Sequence, residues 1–238
     1  MNASSVSPVM VITGTSKGMG RAVAEYFLAK GYRVVGCSRG EATLEHNGYS
    51  HSQVDVSDER QVRAWVRKIS EDFGRIDVLI CNAGSVQSAL LMSVTPGDVL
   101  QTFLHTHIAG TYYVCREVSK VMIRHKYGRI ITVSSLGVPL HLEGTSAYSA
   151  TKSAVIEMTK ILAKELAPVG ITCNVFSPAL YMTDAAEAMG KEWAGRLLEK
   201  QTIKRTVTVA EICNVISFYV SLESGPITGQ VINMGLVV

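Results

Sequence analysis

Residues 9–20 read Val9-Met10-Val11-Ile12-Thr13-Gly14-Thr15-Ser16-Lys17-Gly18-Met19-Gly20. An unbroken apolar run followed by glycines is the pattern of a short strand buried on both faces. The glycines lead into Gly18–Lys30, where Ala22, Val23, Tyr26 and Phe27 share one face of a helix that Gly31 stops. A buried strand, a glycine turn and an amphipathic helix open a parallel βαβ unit. The turn also lets bare backbone N–H groups approach an anion, and the helix N-terminus adds partial positive charge. Gly14, Ser16, Lys17, Gly18, Met19 and Gly20 are therefore a candidate pyrophosphate cradle.

Outward from this unit the alternation continues. Strands are expected at Tyr32–Cys37, Ile76–Cys81, Arg129–Val133, Ile171–Phe176 and Gln230–Asn233. Ser57 is the expected cap of a helix with the stripe Val62, Trp65, Val66, Ile69 and Phe73. Thr95 and Pro96 are expected as cap and first residue of a long helix. Further helices follow at Ala147–Leu166 and from Thr208, with Val209, Ile212, Ile216 and Tyr219 inward. Arg39–Asp55 is too short for a full crossover helix and reads as loop. The chain is expected to be α/β: one Rossmann-like, doubly wound domain over residues 1–238, with a parallel sheet of seven strands. The polar stretch 179–206 is expected to be a substrate loop.

Composition narrows the function classes. Of 238 residues, 47% are hydrophobic and 18% charged, which excludes a disordered chain. A net charge of +3, from 23 basic and 20 acidic residues, implies neither nucleic acid nor a membrane surface as partner. Cys37, Cys81, Cys115, Cys173 and Cys213 are scattered and read as reduced, small apolar residues. No metal cluster is expected. Met1–Pro8 lacks the basic residues of a signal peptide, and no apolar run is long enough to span a bilayer. A cytoplasmic protein is the expectation.

The chemistry sits in Tyr148-Ser149-Ala150-Thr151-Lys152. A phenol and an ammonium four residues apart share one helix face. The ammonium is expected to lower the Tyr148 pKa, so that the phenol trades a proton with an alcohol or carbonyl oxygen. Ser135, at the end of the strand before this helix, points toward the same crevice.

These landmarks resemble the short-chain dehydrogenase/reductase family over nearly the whole chain. They are Thr13-Gly14-x-x-x-Gly18-x-Gly20, Asn82-Ala83-Gly84, Ser135 thirteen residues before Tyr148, Tyr148-x-x-x-Lys152 and Ile227-Thr228-Gly229-Gln230. The nearest look is that of 3-oxoacyl-carrier-protein reductases and related ketoreductases. The resemblance implies hydride transfer between a nicotinamide and a carbonyl carbon. Tyr148 would be the acid, Ser135 would hold the oxygen, and Lys152 would hold the nicotinamide ribose. It places Asp55 and Val56 at adenine, Asn82, Ala83 and Gly84 beside the cofactor, and Thr183 near the carboxamide and phosphates, with Pro178, Ala179 and Leu180 alongside. It also implies a homodimer or homotetramer.

Cofactor choice follows from Ser38 and Arg39. An acidic residue after the second strand would bind a ribose 2′-hydroxyl, whereas Arg39, with Lys17 nearby, suits a 2′-phosphate. NADP(H) is expected over NAD(H). Two competing readings are a catalytically silent NADP-binding scaffold and a nucleotide-sugar-modifying enzyme.

Three positions depart from the family. His107, in His107-Ile108-Ala109-Gly110, replaces an asparagine that helps hold a proton-relay water, so it is a candidate relay residue beside the plainer reading of a packed histidine. Ala179 replaces a glycine after Pro178. Met234-Gly235-Leu236-Val237-Val238 replaces the usual acidic-Gly-Gly close. The cations Arg124, His125, Lys126 and Arg129 invite a carrier-bound substrate, while Val169 lacks the second basic contact expected there. A free small carbonyl compound is the alternative.

Overall fold

The computed structural model describes residues 7–85 and 89–237. The N-terminal reading falls largely on residues 1–6, outside the described residues, as does Val238. The strands are β1 (Val9–Thr13), β2 (Arg33–Ser38), β3 (Tyr49–Gln53), β4 (Val78–Cys81), β5 (Gly128–Val133), β6 (Ile171–Ser177) and β7 (Val231–Asn233). They form a seven-stranded sheet in the order β3-β2-β1-β4-β5-β6-β7. All its pairings are parallel. The order turns back between β1 and β4, which opens a crevice beyond their C-terminal ends.

Successive residues of β1 feed opposite faces, as the two-residue strand period requires. Val9 and Val11 join one core with Val62, Trp65, Val66 and Ile69 of α2 (Glu59–Phe73). Met10 and Ile12 join the other with Val23 and Phe27 of α1 (Gly18–Ala29). The five cysteines are free and buried; Cys81 Sγ and Cys115 Sγ lie 3.6 Å apart.

Several local expectations are corrected. Arg39–Asp55 contains the edge strand β3, whose polar, half-exposed residues gave no apolar run to read. The cap of α2 is Asp58, which accepts from Arg60 N at 2.9 Å, while Ser57 donates to Asp55. The long helix begins at Gly97, with Pro96 at the cap and Thr95 donating back to Leu91 O at 2.9 Å. It comprises α3 (Gly97–Phe103), a π-helical turn (Leu104–Gly110) and α4 (Thr111–His125). A π turn often marks a functional site, and this one carries His107.

Beyond β5, α5 (Gly137–Leu140) precedes the long α6 (Ser146–Leu166). The stretch 179–206 is largely helical, containing α7 (Asp184–Ala188) and α8 (Lys191–Lys200). Thr183 caps α7 by accepting from Ala186 N at 3.1 Å. Leu197 and Trp193, four residues apart on α8, pack with Leu140 and Leu142. That spacing was the readable signal for a helix. α9 (Val209–Val220) opens with a Thr208–Glu211 capping box. The atypical C-terminus is tied back: Thr202 N and Ile203 N donate to Gly235 O at 2.9 and 3.1 Å. Among the described residues, no helix is long and apolar enough to cross a membrane.

Candidate active site

The glycine turn exists to bring backbone close. Gly14 has φ +77° and Gly18 φ +59°, and a Cβ on Gly20 would strike Gly14 O and Asn82 Nδ2. The first turn of α1 has no side-chain cap, and its Lys17 cap is extended. Its N–H groups therefore face a cleft of about 380 Å³ lined by Gly14, Ser16, Lys17, Gly18, Met19, Gly20, Ser38, Arg39, Asp55, Val56, Asn82, Ala83 and Gly84. The sequence placed every one of these residues in a cofactor site. Asn82 and Ala83 are also structural: both backbone N–H groups donate to Thr13 Oγ1, and Asn82 Nδ2 donates to Thr13 O and Gly14 O. Asp55 is committed locally, accepting from Ser57 N and Oγ at 2.9 and 2.7 Å.

Sequence reading missed the support beneath Ser38–Gly40. Tyr49 Oη donates to Thr15 Oγ1 at 2.8 Å and lies 3.0 Å from His51 Nδ1. His51 Nε2 is 3.2 Å from Ser38 Oγ and 3.1 Å from Gly40 O. Alternation of Tyr49 and His51 along β3 would have pointed inward, had the strand been recognised. Ser85 was missed as well. Its hydroxyl is buried without a hydrogen-bond partner among the described residues and lines the junction with a second cleft. A buried orphan hydroxyl, an uncapped helix start, a Cβ-free turn and the cations Lys17 and Arg39 fit a dinucleotide phosphate ester.

The second cleft, about 260 Å³, lies over Ser135, Tyr148 and Lys152, with Pro178, Ala179, Leu180 and Thr183 on its wall. Ser134 Oγ donates to Lys152 O at 3.2 Å, and Ser149 Oγ donates to Gly137 O at 3.1 Å. These bonds pin the end of β5 to α6. Ser135 Oγ accepts from Gly137 N at 3.1 Å, which leaves its O–H free to donate. Lys152 Nζ donates to Val133 O at 2.9 Å and lies 5.9 Å from the Tyr148 ring centroid.

The electrostatics differ from expectation at Tyr148. Burial raises its pKa above the ordinary value, and the neighbouring Ser135 hydroxyl pulls in the opposite direction. The expected lowering by Lys152 is not seen: the ammonium is held on the Val133 carbonyl. Burial also lowers Lys152 to about 8.

His107 is 1% exposed and lines neither cleft. It stacks on Phe103 and meets the Tyr148 ring edge-on at 5.4 Å. Its Nδ1 lies 2.9 Å from Thr151 Oγ1, and Nε2 accepts from Ser85 N at 3.1 Å. Burial first, then the Lys152 charge, pushes its pKa down to about 3. A neutral ring protonated on Nδ1 satisfies both bonds.

The basic cluster lies elsewhere. Arg129 is buried in β5 with its guanidinium over Tyr127, Arg124 donates to Ser70 Oγ, and His125 Nε2 meets Gly74 O at 2.7 Å. Arg124, His125, Lys126 and Arg129 sit at the start of β5, about 20 Å from Ser135 at its other end.

Comparison with known proteins places the chain among relatives of the same fold. Residues 14–235 match a family model described as enoyl-(acyl carrier protein) reductase. The chain is 30% identical over 232 residues to the 3-oxoacyl-acyl-carrier-protein reductase FabG of Escherichia coli (strain K12), covering 95% of each chain. The NADP-bound structure of ElxO superposes with a TM-score of 0.89 at 29% identity, covering 96% of this chain and 97% of that one. A 3-ketoacyl-(acyl-carrier-protein) reductase from Brucella melitensis, complexed with NADH, shares the fold at a TM-score of 0.89 and 24% identity, covering 95% and 96%.

Proposed function

The chain belongs to the short-chain dehydrogenase/reductase family, a group of oxidoreductases acting on C–OH and C=O groups, and on that premise we propose that it is an NADPH-dependent carbonyl reductase with Tyr148 as its acid. The observation that carries this reading is that Ser135, Tyr148 and Lys152 line the second cleft together, and that this cleft shares Met19, Asn82, Gly84, Ser85 and Thr183 with the first. When bound, the nicotinamide supplies hydride to a carbonyl carbon, or accepts it from an alcohol in reverse.

The residues supply the rest. Ser135 donates to the carbonyl oxygen and fixes its position. Tyr148, kept protonated by burial, gives its phenolic proton to that oxygen as negative charge develops there. Lys152 would stabilise the resulting tyrosinate and would be the group that holds the ribose hydroxyls of a bound nicotinamide nucleotide. His107 acts as a positioning residue: Thr151, which it bonds, in turn donates to Tyr148 O at 2.8 Å.

Lys17 and Arg39, neither in an ion pair among the described residues, support preference for a 2′-phosphate. The whole chain acts as one catalytic unit, and exposed Tyr112, Ile123 and Ile161 on α4 and α6 support a homodimer or homotetramer. A silent scaffold has no use for all three catalytic groups. A nucleotide sugar finds little hydrogen bonding in the apolar second cleft. NADPH oxidation in the presence of 2,3-butanedione, a ketone small enough for any reductase site, tests the reading. No turnover of it or of larger ketones would overturn it.

A further inference from the structure

The second cleft is walled mainly by carbon. Away from the reacting groups it is bounded by Leu142, Leu180, Met189, Trp193 and Leu197. Several of these also form the small apolar cluster that fastens α7 and α8 to the rest of the molecule. Among the described lining residues there is no Asp, Glu, Arg or His. The only charged group among them is Lys152, already bonded to Val133 O.

Of the polar side chains on this wall, Thr95 donates to Leu91 O and Thr145 donates to Leu142 O at 2.7 Å. Thr183, which accepts from Ala186 N, and Ser85, whose hydroxyl has no partner among the described residues, also line the first cleft and so stand on the cofactor side. A polyhydroxylated substrate would bury most of its hydroxyls against carbon, and a carboxylate on the arm would lose its hydration away from Lys152. Either desolvation opposes binding strongly. Leu91, Met92 and Val94, between the lining residues Leu90 and Thr95, are 61%, 75% and 64% exposed. They place apolar surface beside the cleft as well as within it.

Size adds a limit. A cavity of about 150 Å³ accepts a benzene ring, so 260 Å³ has room for roughly ten non-hydrogen atoms at most by the same scale, less whatever the nicotinamide takes beside Pro178, Ala179 and Thr183. We propose that the substrate is an uncharged carbonyl compound carrying one alkyl or aryl arm of that size, and neither a sugar nor a keto acid. This rests on the carbonyl-reductase reading, and the experiment separates the two.

The experiment uses the full chain saturated with NADPH and a series from 2,3-butanedione to 2,3-decanedione, with 2-oxoheptanoate as the charged counterpart of 2,3-octanedione. Burying each methylene should raise kcat/KM about fourfold until the cavity is full. The keto acid should be slower than its neutral counterpart by about a hundredfold or more. Trp193→Ala should flatten the chain-length slope, and a far-UV circular dichroism spectrum and thermal midpoint close to wild type show that the variant folds.

A parallel titration reads ligand binding by quenching of Trp193 fluorescence, with Trp193→Phe as blank; the other tryptophan, Trp65, is buried in α2. Binding that tightens with chain length but gives no turnover would keep the ligand class and overturn the reductase reading. Turnover with a flat chain-length profile, or equal rates on the keto acid, would overturn the ligand class and keep the reductase.

Discussion

His107 Nδ1 and Thr151 Oγ1 meet across 2.9 Å inside the protein, joining the π turn after α3 to α6, the helix that carries Tyr148 and Lys152. Thr151 passes the constraint on by donating to Tyr148 O, and His107 Nε2 holds the Ser85 backbone at the end of β4. One neutral ring thus fixes two walls of the site. Protonation would bury a second cation near Lys152, and the Ser85 carbonyl, 3.1 Å from Nε2, offsets only part of that cost.

This gives a pH dependence of stability. His107 has a folded pKa of about 3 against about 6.5 in the unfolded chain. Between these values the unfolded state binds the extra proton, so stability rises with pH and is lost as pH falls from 6.5 toward 3. At pH 4 the loss should be on the order of 3 kcal/mol. Urea unfolding of wild type and His107→Asn at pH 7 and pH 4 measures it. The variant should lose less stability on acidification; equal losses would remove the assignment of a buried neutral imidazole.

Tyr148→Phe removes the proposed proton donor and leaves the cofactor cleft intact. The rate of ketone reduction should fall by ~10²–10⁴, while NADPH affinity by fluorescence titration stays within about threefold, because only one hydroxyl near the ribose is lost. Retention of a tenth of the activity would rule out this role for the phenol.

Arg39→Asp with Lys17→Ala should reverse cofactor preference. Each charge-assisted contact to phosphate is worth ~1.5–3 kcal/mol, so the NADPH dissociation constant should rise at least tenfold per residue while that of NADH changes little. His51→Phe, which withdraws a partner from Ser38 and Gly40, should weaken NADPH binding more modestly. A wild type that binds both cofactors equally would refute this account.

A carrier protein should confer no advantage. The cations Arg124, Lys126 and Arg129 lie at the opposite end of β5 from Ser135, and Arg129 is buried. A 3-oxoacyl group on carrier protein and on a small thiol should be reduced at similar kcat/KM. A preference of tenfold or more for the carrier, lost at high salt and in Lys126→Glu, would instead show docking by screened surface charge.

The sequence by itself determined the parts set by local rules. Apolar runs placed β1, β4, β5 and β6, and Gly14, Gly18 and Gly20 placed the glycine turn, because a positive φ at Gly14 and Gly18 strains other residues and a Cβ on Gly14 or Gly20 would strike Asn82. Ser135, Tyr148 and Lys152 were legible from spacing along one strand end and one helix face. Tertiary structure decided what depends on neighbours distant in sequence. β3 is polar and becomes a strand only by pairing with β2. Segment 179–206 forms α7 and α8 because Leu197 and Trp193 find Leu140 and Leu142. The Tyr148 pKa depends on burial and on where Lys152 points, and neither is encoded in a four-residue spacing. His107 owes its neutral state to enclosure by Phe103, Tyr148 and Lys152, a solvation effect that exists only once the chain has closed around it.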